Sequence, residues 1–123
     1  MSTPNDILLV EDDLVVAGVF RRMLERAGYT VRIASDGNQA LAALGEVQPA
    51  VLILDLILPG VSGFAILERI RQQQIPLPVI VITANPLYHD SLHHAGIRHT
   101  LIKPFGIEEL LHALRDICCP VPL

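Results

Sequence analysis

The sequence predicts an open, doubly wound α/β sheet. Three observations carry this. Short apolar runs alternate with helix-spaced segments five times along the chain. Three of the runs, at residues 7–10, 50–54 and 79–82, are apolar without a break, as parallel strands covered on both faces require. Most runs lead directly into a polar or charged residue, and a doubly wound sheet places its chemistry at those carboxyl ends.

The first strand, Ile7 to Val10, follows a turn signal at Pro4-Asn5 and runs into Glu11-Asp12-Asp13. Val16, Phe20, Met23, Leu24 and Ala27 then recur at helical spacing; Asp13 is positioned to cap this helix and Gly28 to stop it. Residues 30–34 form the second strand, and Arg32 within it predicts an edge position. Asp36 caps a second helix carrying Ala40, Leu41, Leu44 and Val47, which Pro49 ends. The third strand, residues 50–54, delivers Asp55. Ser62 caps a helix with Ile66, Leu67 and Ile70, which stops before Pro76. The fourth strand leads into Thr83. Asn85-Pro86 suits the N-cap and first position of a short fourth helix that Gly96 closes. Residues 100–103 make a fifth strand, and Ile107, Leu110, Leu111, Leu114 and Ile117 a clean last helix.

Bulk composition narrows the function classes. The 123 residues suit one domain, and 51% are hydrophobic, enough for a core. A net charge of -4 with scattered basic residues argues against a nucleic-acid surface. Acidic residues at 6, 11, 12 and 13 interrupt any leader-like run, and no apolar stretch approaches the ~20 residues that cross a bilayer. Adjacent Cys118 and Cys119 close no loop, so they read as reduced thiols of a cytoplasmic protein.

The strand ends bring together Glu11, Asp12, Asp55, Thr83 and Lys103, the last being the sole lysine. Three carboxylates against one ammonium give a net charge of -2. Such a cluster repels itself unless a hard divalent cation neutralises it, and Mg²⁺ accepts oxygen ligands from one or two carboxylates while leaving positions for phosphate oxygens. A carboxylate nucleophile can carry a phosphoryl group, a transfer that depends on positioning and charge neutralisation. His89 and His93, four apart on the fourth helix, could ligate zinc, but no third ligand is evident; an exposed, His-rich partner surface is the reading we favour.

ILLVEDD, LILDLILPG, VIVITA and LIKPF, in this order and each at its own strand end, resemble the response-regulator receiver domain of two-component signalling. The resemblance covers residues 5–118 and implies a flavodoxin-like (βα)5 fold with strand order 2-1-3-4-5. It implies that Asp55 accepts phosphate from a histidine kinase or phosphotransfer protein. It assigns Mg²⁺ (or Mn²⁺) to Glu11, Asp12, Asp55 and the carbonyl of Ile57. It gives the phosphoryl group to Thr83, Lys103 and the amide of Ala84, and makes the Lys103-Pro104 peptide cis. Signalling would pass to a downstream protein partner, from a monomer or weak homodimer, without enzymatic turnover of other substrates. We expect residues 1–123 to be a single receiver domain with no output domain attached. Two departures stand out: Ser62 where the family often has Asp, and Thr100 where it usually has Tyr or Phe. Two other functions compete. A pseudo-receiver that never takes phosphate would not need the intact acidic, hydroxyl and lysine set. An aspartyl phosphohydrolase resembling the haloacid dehalogenase superfamily would need a second Asp at the position of Ile57.

Overall fold

The computed structural model describes residues 5–117. Five strands and five helices alternate: β1 (Asp6–Val10), α1 (Leu14–Arg26), β2 (Thr30–Ala34), α2 (Gly37–Glu46), β3 (Val51–Asp55), α3 (Gly63–Gln72), β4 (Val79–Thr83), α4 (Tyr88–His94), β5 (His99–Ile102) and α5 (Ile107–Ile117). All neighbouring strands pair parallel in the order β2-β1-β3-β4-β5, the expected topology. The thiol pair at 118–119 lies outside the described residues.

Alternation along each strand divides the core in two. Ile7, Leu9, Val51, Ile53, Ile80 and Ile82 point to the face covered by α1 and α5. Leu8, Val10, Leu52, Leu54, Val79 and Val81 point to the face covered by α2, α3 and α4. Every residue of β1, β3 and β4 is buried, which is why these runs carry no polar alternation. β2 is an edge, as Arg32 predicted. The guanidinium reaches across to β1, donating to Asp6 Oδ2 at 3.2 Å and to the Val47 carbonyl at 2.8 Å, so the charge on this strand is paired rather than merely solvated.

The caps follow sequence chemistry. Asp13 accepts from the amides of Val15 and Val16, Asp36 from Gln39, and Ser62 from Ala65. Gly28 and Gly96 take φ of 101° and 92° and close α1 and α4 with paired backbone bonds: Tyr29 N–H to Leu24 O and Gly28 N–H to Glu25 O, Ile97 N–H to Leu92 O and Gly96 N–H to His93 O. α3 ends in the same motif, but the left-handed position is Gln74, at φ 53°. The helix stops before Pro76 as expected, but by a left-handed residue that is not glycine.

Several boundaries move by one residue, β5 running over His99–Ile102 rather than 100–103, and one moves further. α4 begins at Tyr88 rather than Pro86, and its N-cap position, Leu87, offers no side-chain oxygen. Asn85 instead accepts from the Leu87 amide at 3.0 Å, which turns the chain before the helix rather than capping it.

Candidate functional site

Strand register sets the site. Val10 pairs with Leu54 across the point where strand order reverses, so Glu11 stands level with Asp55. Asp55 pairs with Ile82 and Thr83 with Ile102, so Thr83 and Lys103 each lie one step further along. Backbone bonds continue the sheet past the strand ends: Leu56 N–H donates to Ile82 O and Lys103 N–H to Thr83 O. Residues scattered over ninety positions of sequence thereby meet at one rim.

Asp55 and Glu11 are 3% and 4% exposed. Lys103 answers the question of how two carboxylates survive there: Nζ is 2.7 Å from Asp55 Oδ2 and 3.4 Å from Glu11 Oε2. The other Asp55 oxygen accepts from the Ile57 amide at 3.0 Å. Burial pushes the Glu11 carboxyl up to about 7, helped by a hydrogen bond to Asp55 and by its charge, while Lys103 and the Asp13 amide pull the other way. Glu11 therefore holds its proton to a higher pH than an ordinary carboxyl, and the charge count of -2 read from sequence overstates the metal-free repulsion. Burial alone would lower the Lys103 ammonium, but its bond to Asp55 and the charges of Asp55 and Glu11 outweigh that and raise it.

Glu11, Asp12 and Asp55 each place a ligand oxygen within 4.8 Å of the others. Glu11 and Asp55 are buried and Asp12 is exposed, so the group opens to solvent on one side. A donor set of carboxylate oxygens alone, accessible to water, fits a hard divalent cation such as Mg²⁺. Thr83 is buried at 1% exposure, and its Oγ1 accepts from the Asn85 amide at 3.1 Å, so in this state the hydroxyl is engaged with its own loop. Ala84 is exposed beside it, and the Lys103-Pro104 peptide is cis.

Two supports went unnoticed in the sequence. A Cβ on Gly63 would lie 2.6 Å from Leu56 Cα and 2.7 Å from the Asp55 carbonyl, so only glycine lets the first turn of α3 press against the end of β3. Phe20 and Phe105 stack at 5.3 Å, tying the loop after Lys103 to α1. The helical spacing of Phe20 marked it as a packing residue without naming its partner.

A parallel five-stranded sheet with an acidic cluster and one lysine at its switch point defines a class of protein that manages phosphoryl groups and a divalent cation at a strand end. The chain belongs to the response regulator receiver domain family, whose model matches residues 7–115. It is a signalling receiver domain, of a family with a phosphorylatable aspartate and a Mg²⁺-binding acidic cluster. The transcriptional regulatory protein TrcR of Mycobacterium tuberculosis is 34% identical over 117 residues, which cover 94% of this chain and 46% of TrcR. The transcriptional regulatory protein YkoG of Bacillus subtilis is 39% identical over 111 residues, covering 89% and 49%. The chain spans about half the length of these curated relatives. Among solved structures, the receiver domain of Francisella response regulator 1452 superposes with a TM-score of 0.86 at 27% identity, covering 91% of this chain and 94% of that one. Thermotoga maritima TrrA, in complex with Mg²⁺ and BeF, superposes with a TM-score of 0.82 at 26% identity, covering 91% and 97%. No described helix is long and apolar enough to cross a membrane.

Proposed function

We propose that Asp55 is the phosphoacceptor and that residues 1–123 act as one receiver unit, phosphorylated by a histidine kinase or phosphotransfer protein. The observation that carries this is the Asp55 carboxylate, buried, held by Lys103 at 2.7 Å and facing a preassembled acidic cluster. One Asp55 oxygen attacks phosphorus, the bond from phosphorus to the donor breaks, and the donor nitrogen leaves with its electron pair and takes up a proton. The ammonium of Lys103 then moves from carboxylate oxygen to phosphoryl oxygen, and the Ala84 amide and Thr83 hydroxyl bind the remaining oxygens. Glu11, Asp12, Asp55 and the Ile57 carbonyl would hold Mg²⁺, which when bound would supply charge neutralisation for the transferring group. The Mg²⁺ and BeF bound to TrrA support the same reading here.

The Thr83 hydroxyl can donate its O–H to a phosphoryl oxygen while a lone pair still accepts from the Asn85 amide. The shared hydroxyl links the site to the loop before α4, where Leu92 is the buried anchor of the helix. The signal then leaves through α4, β5 and α5 to a downstream protein, by altered contacts rather than by turnover of a substrate. Thr100 is half-buried and too small to act as an aromatic latch, so the shift is modest and loosely coupled.

Intact mass after incubation with a small-molecule phosphodonor and Mg²⁺ tests the assignment. A single phosphate adduct is expected, lost in Asp55→Asn. An adduct of equal yield in that variant overturns it.

A further inference from the structure

All five histidines of the chain lie between positions 89 and 112, and the fold gathers that stretch into α4, β5 and α5. Three of them, one from each element, line a single open groove of about 570 Å³: His89, His99 and His112, beside Glu108, Glu109 and the exposed Arg98. None belongs to the acidic site. His99 Nε2 is 2.8 Å from Asp116 Oδ2. With Nε2–H donated to that carboxylate, the ring is held in one tautomer and Nδ1 carries the free lone pair; metal-binding imidazoles are commonly oriented this way. His94 differs, since its Nδ1 lies 2.8 Å from the Asp90 carbonyl of its own helix.

We propose that this groove is a second cation site, for a borderline transition-metal ion of the Zn²⁺ class. His89, His99 and His112 bind the ion, and Glu108 or Glu109 completes the set. Imidazole nitrogen selects such ions, whereas the all-oxygen cluster at the other site selects Mg²⁺. Among the described residues only the acidic cluster already has three donors within 4.8 Å of one another, so the ion has to draw the histidines together. His89 and His112 are exposed and change rotamer freely. α4, with Leu92 as its buried side chain, moves at low cost. Closing the site would pin α4 against α5 and so bias the output face independently of phosphate.

The test is Zn²⁺ titration of the full chain at about pH 7.5. Excess Mg²⁺ occupies the acidic cluster, and the background is Cys118→Ser with Cys119→Ser, because thiolates also bind zinc. Calorimetry gives stoichiometry, and imidazole NMR resonances identify the ligands. One ion per chain is expected, with shifts at His89, His99 and His112 but not at His94. His112→Gln should weaken binding by roughly tenfold or more. Undiminished binding in the triple His→Gln variant overturns the site. So does loss in His93→Gln with none in His112→Gln, which would mean a pair within α4 alone. So does zinc binding that vanishes once the cysteines are replaced.

Discussion

Replacing Glu11 by Gln tests the electrostatics of the site most directly. Glu11 is 4% exposed, and its carboxyl is pushed up to about 7 in the fold against an ordinary value of 4.5. A folded value above the unfolded one means that the native state binds the extra proton. Its contribution to stability is fully present below about pH 4.5 and is lost as pH rises through about 7. At about 1.4 kcal/mol per pH unit, the displacement amounts to roughly 3 kcal/mol, a large share of the ~5–15 kcal/mol that holds a domain folded. The carboxamide of Gln keeps the size and hydrogen-bonding capacity but never ionises. In chelator, urea unfolding from pH 5 to 8.5 should find Glu11→Gln gaining on wild type by about 1–3 kcal/mol across that range. The histidines are common to both proteins and cancel in the difference. Mg²⁺ should reverse the trend for wild type, because the ion binds the deprotonated carboxylate and is held more tightly as pH rises. A gap that stays constant with pH, or one that favours wild type at high pH, would refute the reasoning.

Four further outcomes are expected. Asp12→Ala should weaken Mg²⁺ binding at least tenfold in calorimetry while leaving the fold intact, since Asp12 is the exposed member of the cluster. Lys103→Met removes the cation between Asp55 and Glu11; metal-free stability at pH 8 should fall by about 1–2 kcal/mol, discounted because the ammonium is a third exposed, and carboxyl NMR should find Glu11 titrating higher still. Gly63→Ala forces a methyl against the backbone of Leu56 and Asp55 and should cost roughly 2–3 kcal/mol in urea unfolding, with slower phosphorylation as Asp55 shifts. Gln74→Gly relieves a left-handed non-glycine residue at the end of α3 and should raise stability by about 0.5–1 kcal/mol, visible as a small increase in Tm.

The alternation of apolar runs and helical periods was enough to establish ten elements, their parallel sense and the strand-end residues, because burial on two faces imposes a pattern that nearby residues record. Asp13, Asp36 and Ser62 announced their helices for a similarly local reason: a cap acts on amides two or three residues away. The start of α4 was misplaced because Asn85 can cap or turn with equal chemistry, and the path of the backbone through Pro86 and Leu87 decides between them. The stop of α3 before Pro76 was legible, but not the left-handed turn at Gln74 that makes it, because glutamine carries no residue-type signal for a positive φ. At the site, the identities of Glu11, Asp12, Asp55, Thr83 and Lys103 were legible in one dimension, but their charges were not. Only the tertiary structure brings Lys103 to 2.7 Å from Asp55, buries Glu11 so that its carboxyl is pushed up, and gathers His89, His99 and His112 into one groove. Residue type fixes which groups can ionise or ligate. Distance and desolvation decide whether they do, and both arise when strands far apart in sequence pair in register.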